Sequence, residues 1–429
     1  MKKVLFIGAA AVALGIGAGA ARADSPLKVG IDGVIFEFAG VASNPSNTHM
    51  LGNAMGHQSS VFNYDYNNVY FTGEDKLDNG ITVGVKAGLT TSSTPLENEN
   101  FGNGNSNFSY AWFNGAFGTI QAGQKYNVLH DTQVEVTSQG NPFVSGSDPG
   151  SVLWMLGTYM NGGNAANLHT AFYDKYSSPG LFYYTPSFNG FQAGVDYMPG
   201  HTLGSGGTFN NATGAYNVKT GVLYNGNVGV YGANAMGNVG DEFDGTINYK
   251  GKLGDVAVVA EIGAGSEQVS GTNNTTGNAG TFTATGYQAG LSMTYKGFNL
   301  AANGLIRQDP NAYRQVTVDS EGVGGGNGNS WIVGGGYSNG PWGVGVSYTQ
   351  VTMDPMDWSQ SAAGLHTNDT ASYWDVGGHY AIGPGILLTA DLQQLSTQSK
   401  YGNYTGVPAG TTSNKLTATA GELGTLIAF

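Results

Sequence analysis

Residues 287–306 read YQAGLSMTYKGFNLAANGLI, and they show the pattern that decides the fold of this chain. Apolar side chains recur at every second position from Tyr287 onward, and Lys296-Gly297 separates this run from another that begins at Phe298. A period of two places alternate side chains on opposite faces of a strand. The stretch therefore predicts two antiparallel strands joined by a tight turn.

The same alternation continues in neighbouring segments. In residues 243–250 and 256–262 one face is aliphatic and aromatic, while the other carries polar residues such as Asp244 and Glu261. A soluble β-sandwich alternates in the same way, with its apolar face turned inward. The connections between the strands distinguish the sandwich from a barrel.

These connections alternate between tight and long. Tight turns rich in Gly and Asn, which tolerate positive φ, are predicted at 78–80, 114–115, 188–190, 225–227, 251–254, 296–297, 339–340 and 383–385. Between them lie long polar stretches at 92–107, 199–214, 269–281, 309–329, 354–370 and 398–413. Short turns at one end and long loops at the other are typical of outer-membrane β-barrels.

Aromatic residues gather beside the tight turns. Those just before a turn are Tyr184, Tyr224, Tyr249, Tyr295, Tyr337 and Tyr380, and those just after one are Phe191, Phe298 and Trp342. Recurrence at one end of successive hairpins predicts an aromatic girdle at a membrane interface.

The number of turns predicts the number of strands. Eight hairpins, a first strand around 27–38 and a last strand around 415–429 give eighteen, with an error of two. We therefore expect an all-β fold, a single transmembrane antiparallel barrel of 16 to 18 strands, with the count favouring 18. Barrels of about 16 to 18 strands leave an aqueous channel.

The N-terminus carries an export signal. Lys2 and Lys3 precede an apolar run, and Ala21-Arg22-Ala23 has the pattern of a signal-peptidase site. We expect residues 1–23 to be cleaved, leaving one barrel domain over 24–429. Removal of these three basic residues takes the formal net charge from −13 to −16.

Composition excludes several other classes of protein. Only 10% of residues are charged, against roughly 25% in soluble domains, and the mature chain has no apolar run long enough for a helical span. An acidic chain is a poor nucleic-acid binder. The chain has no cysteine, so it has neither disulfides nor thiolate metal sites.

One long connection, residues 126–173, differs from the rest because it mixes apolar residues with acids. We expect it to fold into the lumen and narrow it. The candidate acidic residues of this constriction are Asp131, Glu135 and Asp148. The basic lumen candidates are Lys86, Lys125, Lys219 and Arg307. Opposed charges would sort solutes by charge, although each residue could instead solvate a strand end or a loop.

No catalytic or metal-binding pattern accompanies this architecture. The seven histidines show no metal-ligand spacing. Residues 336–340 match G-x-S-x-G, but that motif needs a strand-to-helix elbow, and here it falls in a predicted hairpin. We therefore expect no enzyme activity, no cofactor and no metal.

Three stretches carry a family resemblance: residues 117–126 (FGTIQAGQKY), 178–191 (SPGLFYYTPSFNGF) and 423–429 (LGTLIAF). They resemble, respectively, the strand before the third loop, the hairpin after it, and the C-terminal signal of the general trimeric porins of Gram-negative bacteria. Gln124 and Lys125 stand where that family commonly has an arginine. The family norm of sixteen strands also differs from the count of eighteen.

The resemblance implies several partners and a location. They are a homotrimer of this chain, outer-membrane lipids, and the barrel-assembly machinery, which would read Leu423, Ile427 and Phe429. The chain would reside in the bacterial outer membrane after export.

The expected function is passive diffusion of small hydrophilic solutes and ions, filtered by size and charge at the third loop. The alternatives are a sugar-selective porin, which would need aromatic residues along the lumen, and an outer-membrane adhesin or structural protein.

Overall fold

A computed structural model describes residues 28–42, 61–92, 108–136, 144–145, 148–149, 178–199, 201–202, 216–217, 222–223, 238–272, 279–308, 328–353, 369–399 and 414–429. Within these ranges sixteen strands form one closed barrel. The predicted signal peptide, residues 1–23, lies outside them.

The first seven strands of the barrel are β1 (Lys28–Ala42), β2 (Val61–Lys76), β3 (Thr82–Ser92), β4 (Ser109–Gly115), β5 (Gly118–Lys125), β6 (Ser178–Tyr184) and β7 (Phe191–Met198). The remaining nine are β8 (Asn238–Leu253), β9 (Val256–Thr272), β10 (Ala279–Tyr295), β11 (Phe298–Gln308), β12 (Gly328–Asn339), β13 (Trp342–Met353), β14 (Asp369–Gly383), β15 (Ile386–Ser399) and β16 (Asn414–Ala428). A five-residue helix, α1 (Val128–Thr132), follows β5.

Each strand pairs antiparallel with the next, and the last strand pairs with the first. The closing ladder runs from Val34 opposite Ala428 to Ala42 opposite Ala420. Beyond it, the amide of Gly33 donates to the carbonyl of Phe429 at 3.0 Å, and the amide of Phe429 donates to the carbonyl of Gly33 at 3.1 Å. Closure removes the unpaired edges that an open sheet would present.

The preference for eighteen strands is wrong, because β7 pairs directly with β8. Their register runs from Phe191 opposite Tyr249 to Met198 opposite Glu242, which leaves no room for two strands between them. His201–Thr202 pairs with the start of β8 and so continues the position of β7. The predicted hairpin at 225–227 therefore adds no strands to the barrel. Its turn lies outside the described residues.

A short local pairing does form just before that predicted turn. Tyr216–Asn217 pairs with Val222–Leu223 in a separate two-stranded sheet. These residues have a strand-like sequence, but the facing edges of β7 and β8 are already paired with each other. Barrel membership depends on a free strand edge, which periodicity does not reveal.

The other seven predicted tight turns are confirmed, and the turn at 296–297 shows their geometry. Lys296 has φ 46° and Gly297 has φ 85°, the left-handed conformations that two-residue hairpins require. A Cβ at Gly297 would also collide with the carbonyl oxygen of Ser338. Glycine is thus needed there both for its φ and for close approach of the next hairpin.

The two faces of the wall differ as the alternation predicts. Exposed apolar side chains, including Ile262, Leu300 and Val344, occupy one face, while polar side chains such as Asp244 and Gln288 occupy the other. Outer-membrane barrels turn the apolar face to lipid and the polar face inward. The polar face is therefore the inner wall.

Cross-strand aromatic pairs confirm the girdle on the outer face. Ring centroids lie 4.8 Å apart for Phe191–Tyr249, 4.5 Å apart for Phe298–Tyr337 and 4.3 Å apart for Trp342–Tyr380.

Tyr184 does not belong to this girdle, which corrects one of the predicted positions. Its side chain is buried on the inner face, while its neighbour Tyr183 donates from the phenol to the carbonyl of Phe117 at 2.7 Å. Adjacent residues of a strand face opposite ways, so only one of two consecutive tyrosines can join the girdle. Tyr224 lies outside the described residues.

Among the described residues, no helix has the length and apolarity needed to cross a membrane.

Candidate functional site

The segment of residues 127–136 leaves β5 and begins with a capped helical turn. Asn127 has extended backbone, and its side-chain oxygen accepts from the amide of His130 at 2.9 Å, which satisfies a donor that the first helical turn leaves free. The hydroxyl of Thr132 donates to the carbonyl of Val128 at 2.8 Å. The turn ends there and the chain continues without regular structure to Val136.

Hydrogen bonds fasten the start of this segment to β7 and β8. The amide of Val128 donates to Asp196 at 2.6 Å. The side-chain nitrogen of Asn127 donates to Glu242 at 3.1 Å and to Asp244 at 3.0 Å. Asn127 therefore caps the helix with its oxygen and binds two carboxylates of the inner wall with its nitrogen.

Further bonds hold the rest of the segment to β10 and β11. Gln288 donates from its side chain to the carbonyl of Leu129 at 2.9 Å, and Asn303 donates to the carbonyl of Val134 at 2.8 Å. Both amides also donate to Glu261, at 3.3 Å and 3.2 Å. The wall thus satisfies the carbonyls of Leu129 and Val134, which lack a partner within the segment.

Three glycines of the inner wall make room for the apolar side chains of the segment. A Cβ at Gly263 would collide with Leu129, and one at Gly290 would lie 2.6 Å from the Cβ of Val134. A Cβ at Gly334, on β12, would lie 2.7 Å from Val136. Leu129, Val134 and Val136 are buried in consequence. The segment crosses the inner face from β7 to β12, and these glycines provide the space for it.

Beneath the segment lies a group of buried carboxylates, which we call the acidic wall: Asp196, Glu242, Asp244, Glu261 and Glu267. Asp196 is opposite Asp244 in the β7–β8 register, and Glu242 is opposite Glu267 in the β8–β9 register. Like charges directly opposite each other are destabilising in a sheet. The donors from residues 127 and 128 offset that repulsion, and Arg307 binds Glu267 at 2.5 Å.

A second polar group ties the segment to β5 and β6. The ammonium of Lys125 forms an ion pair with Asp131 and donates to the phenol oxygen of Tyr184 at 3.1 Å. The phenol of Tyr184 in turn donates to Asp131. The Lys125 nitrogen also lies 4.5 Å from the ring centroid of Phe182, a favourable cation–π distance. The lysine is buried and fully engaged.

The sequence model of the Gram-negative porin family matches residues 9–400 of this chain. The chain belongs to the Gram-negative porin family. It is therefore an outer-membrane β-barrel channel and not an enzyme, as the alternation and the turn pattern predicted.

Solved porin structures share the fold of this porin. The anion-selective porin from Comamonas acidovorans has a TM-score of 0.57 at 16% identity, over 94% of this chain and 100% of its own. OmpF of Salmonella typhi, in complex with daunomycin, has a TM-score of 0.57 at 16% identity, over 95% and 100%. OmpT of Vibrio cholerae, in its trimer form, has a TM-score of 0.53 at 10% identity, over 94% and 100%. No curated protein sequence matches the chain.

Four of the predicted charged residues lie beside an oppositely charged partner in the porin structure. Lys125 and Asp131, predicted as a basic and an acidic lumen residue, bind each other directly. Arg307 binds Glu267, which the sequence reading did not single out. Lys86 lies on another part of the inner wall, with its nitrogen 3.9 Å from Asp32.

The other predicted site residues have varied positions. Glu135 is exposed on the segment that follows α1. Asp148 lies in a two-residue pairing with Val144–Ser145, and its side chain is outside the described residues, as is the whole of Lys219. The C-terminal residues Leu423, Ile427 and Phe429 are exposed on the last strand or just after it.

Sequence reading missed most of the acidic wall and Tyr184. Alternation did place Asp244 and Glu261 on the polar face, so a signal for the inner wall existed. The alternation did not indicate which carboxylates meet.

Within the described ranges no group of three or more His, Cys, Asp or Glu side chains is arranged to hold a metal ion.

Proposed function

We propose that this porin forms a water-filled channel for passive diffusion of small hydrophilic solutes and ions, filtered by size and charge at a constriction built on residues 127–136. The observation that carries this proposal is the attachment of that segment to the inner faces of six successive strands, β7 to β12. Sixteen strands are about the number that encloses an aqueous channel.

Filtering by size follows from where the segment lies. Its bulk occupies space inside the wall that an unobstructed barrel would leave to water. Because glycines lie beneath Leu129, Val134 and Val136, the described part of this connection, residues 127–136, fits close to one side of the wall. We propose an off-centre passage with the segment 127–136 lining one side.

Filtering by charge depends on the groups that still face water. Glu135 is exposed on the segment, and the side chain of Asp131, which is paired with Lys125, is 29% exposed, whereas the acidic wall beneath them is buried. Lys86 lies on β3, eight strands from β11 in a ring of sixteen and so on the opposite side. Its ammonium is partly exposed beside Asp32. We propose that the acids of the segment favour cations, because the charges of Lys86 and Asp32 lie together and largely offset each other.

Assembly and export complete the proposal. We propose that the chain is exported through cleavage after Ala23 and acts as a homotrimer, a state recorded for the structurally similar OmpT of Vibrio cholerae. The resemblance of residues 423–429 to a C-terminal assembly signal supports recognition by the barrel-assembly machinery. The exposed apolar outer face supports contact with outer-membrane lipids.

Single-channel recording of the purified, refolded protein tests the proposal. We expect stable open steps in a planar bilayer, and a reversal potential in a salt gradient that reports cation preference. A bilayer that stays silent despite insertion of folded protein would contradict the channel and favour the adhesin or structural alternative.

A further inference from the structure

Aromatic rings cover part of the inner wall on β2 to β4, beside the start of the segment 127–136: Tyr70 contacts Phe108 and Phe108 contacts Tyr126, with ring centroids 5.8 Å and 5.0 Å apart. Trp112 on β4 is opposite Gly84 on β3, and Tyr70 on β2 is opposite Gly88. A Cβ at Gly84 would collide with three ring atoms of Trp112, and a Cβ at Gly88 would lie 2.9 Å from the ring of Tyr70. Both rings therefore lie over glycines of β3, with one side on the wall.

A lysine lies on the strand between these two rings, and a carboxylate on β1, Asp32, is opposite Tyr70. Lys86 is on β3 between the two glycines, with its nitrogen 4.0 Å from the ring centroid of Tyr70 and 3.9 Å from Asp32. The side chains of Lys86 and Asp32 are 26% and 52% exposed, so both reach water. Tyr110 is opposite Lys86, and its ring centroid is 6.0 Å from that of Trp112.

This combination selects a class of solute. A pocket lined by aromatic surface with a few polar groups is the usual form of a small-molecule site. The two charges have opposite signs and lie together, so a charged solute gains little net attraction. A neutral ring with an apolar face and hydroxyls around its edge can stack on an aromatic ring and use both a donor and an acceptor.

We propose that Tyr70, Tyr110 and Trp112, with Asp32 and Lys86, form a binding site for a neutral pyranose sugar on the channel wall. The site rests on the proposed channel function, because it faces the lumen. The carboxylate of Asp32 accepts from sugar hydroxyls and the ammonium of Lys86 donates to them. The aromatic residues supply the stacking surface.

Glucose and sorbitol are the matched probes for this site. They have nearly the same size, but only glucose closes into a ring with a flat apolar face. We expect glucose to reduce the ion current through open channels in a saturable way, whereas sorbitol at the same concentration causes only the small decrease due to viscosity.

Trp112→Ala is the central variant. Loss of the stacking surface is expected to weaken the block by glucose about fivefold. Trp331→Ala is the control, because Trp331 is 42% exposed on the outer face of β12 and should leave the block unchanged. If Trp112→Ala does not fold, Trp112→Phe should retain most of the block and Lys86→Gln should weaken it, also about fivefold.

Two results would overturn the sugar site while leaving the channel intact: equal effects of glucose and sorbitol on an open channel, or an unchanged block in both Trp112→Ala and Lys86→Gln. Failure of the channel is separable. In that case the bilayer is silent, and glucose binding is measured instead by tryptophan fluorescence of the folded protein in detergent. A glucose-dependent change that is lost in Trp112→Ala would then support the site, and its absence would overturn it.

Discussion

Val134 lies directly over Gly290: a Cβ on that glycine would be 2.6 Å from the Cβ of the valine. Because Gly290 has no side chain, the segment 127–136 can pack directly against β10. Because the position of the Cβ of Val134 is set by its backbone, no rotamer change of this buried residue can relieve such a contact.

Gly290→Ala is therefore expected to displace the segment or to lower the stability of the barrel. The cost of overpacking is about 1 to 3 kcal/mol, measured by denaturant unfolding in detergent, and displacement should change the single-channel conductance. Gly245→Ala is the matched control, since a Cβ there would have ordinary contacts at 3.9 Å. If both variants behave like the parent, the segment does not depend on this contact.

Asn127 has two functions that can be separated by substitution. Asn127→Ala removes both the helix cap, worth about 1 kcal/mol, and the donor to Glu242 and Asp244. Asn127→Asp keeps an acceptor for the amide of His130 but places a negative charge against two carboxylates. We expect the aspartate variant to be the less stable of the two in thermal unfolding. The reverse order would show that the cap is the more important function.

Neutralising the exposed acids should reduce cation preference. In Asp131→Asn/Glu135→Gln we expect the reversal potential in a salt gradient to move toward the value for anions. Asp255→Asn, in the exposed turn between β8 and β9, removes a charge far from the segment and is the control. Glu135→Gln alone should have a smaller effect of the same sign, because it leaves the Lys125–Asp131 ion pair intact. An unmoved potential in the double variant would remove these two residues from the selectivity filter.

The Arg307–Glu267 pair should show strong coupling. Glu267 is buried and the pair is 2.5 Å apart, so Arg307→Gln leaves a buried carboxylate without its partner and is expected to lose about 3 to 5 kcal/mol of stability. Glu267→Gln should lose less, because Arg307 is 15% exposed and the change also removes a charge opposite Glu242. The double variant should lose less than the sum of the two. Additive losses in unfolding experiments would argue against a direct interaction.

The C-terminal aromatic residue should matter more for assembly than for stability. The main chain of Phe429 pairs with Gly33, while 52% of its side chain is exposed. Phe429→Ala should therefore refold in detergent with nearly unchanged stability but accumulate less in the outer membrane of cells. Phe188→Ala, another exposed aromatic beside a turn, is the control. Equal membrane levels of both variants would count against a recognition signal at Phe429.

Features that depend on neighbours in the chain could be predicted from the sequence. Alternation in residues 287–306 predicted β10 and β11, and the Lys296-Gly297 pair predicted the turn between them. Both follow from side-chain direction and allowed φ, which are local properties. The outward position of girdle residues such as Phe298 and Tyr337 followed from the same alternation.

Features that depend on register could not be predicted in this way. Alternation placed Asp244 on the polar face, but it meets Asp196 only because β7 pairs with β8 in one particular register. The segment 216–223 has strand-like sequence yet pairs with itself. Nothing around Asn127 marked it as the residue that would bind two carboxylates.

By itself, the sequence determined that this chain is an outer-membrane barrel with an apolar outer face. The alternation of apolar and polar residues, the turn residues and the composition are local properties that can be read at each position. Only the tertiary structure decided that there are sixteen strands, that Tyr184 faces inward, and that residues 127–136 lie over an acidic wall. Those outcomes depend on which strand edges meet and which side chains become opposite one another. Such contacts join residues that are far apart in the sequence, so they stabilise the protein only in the closed barrel.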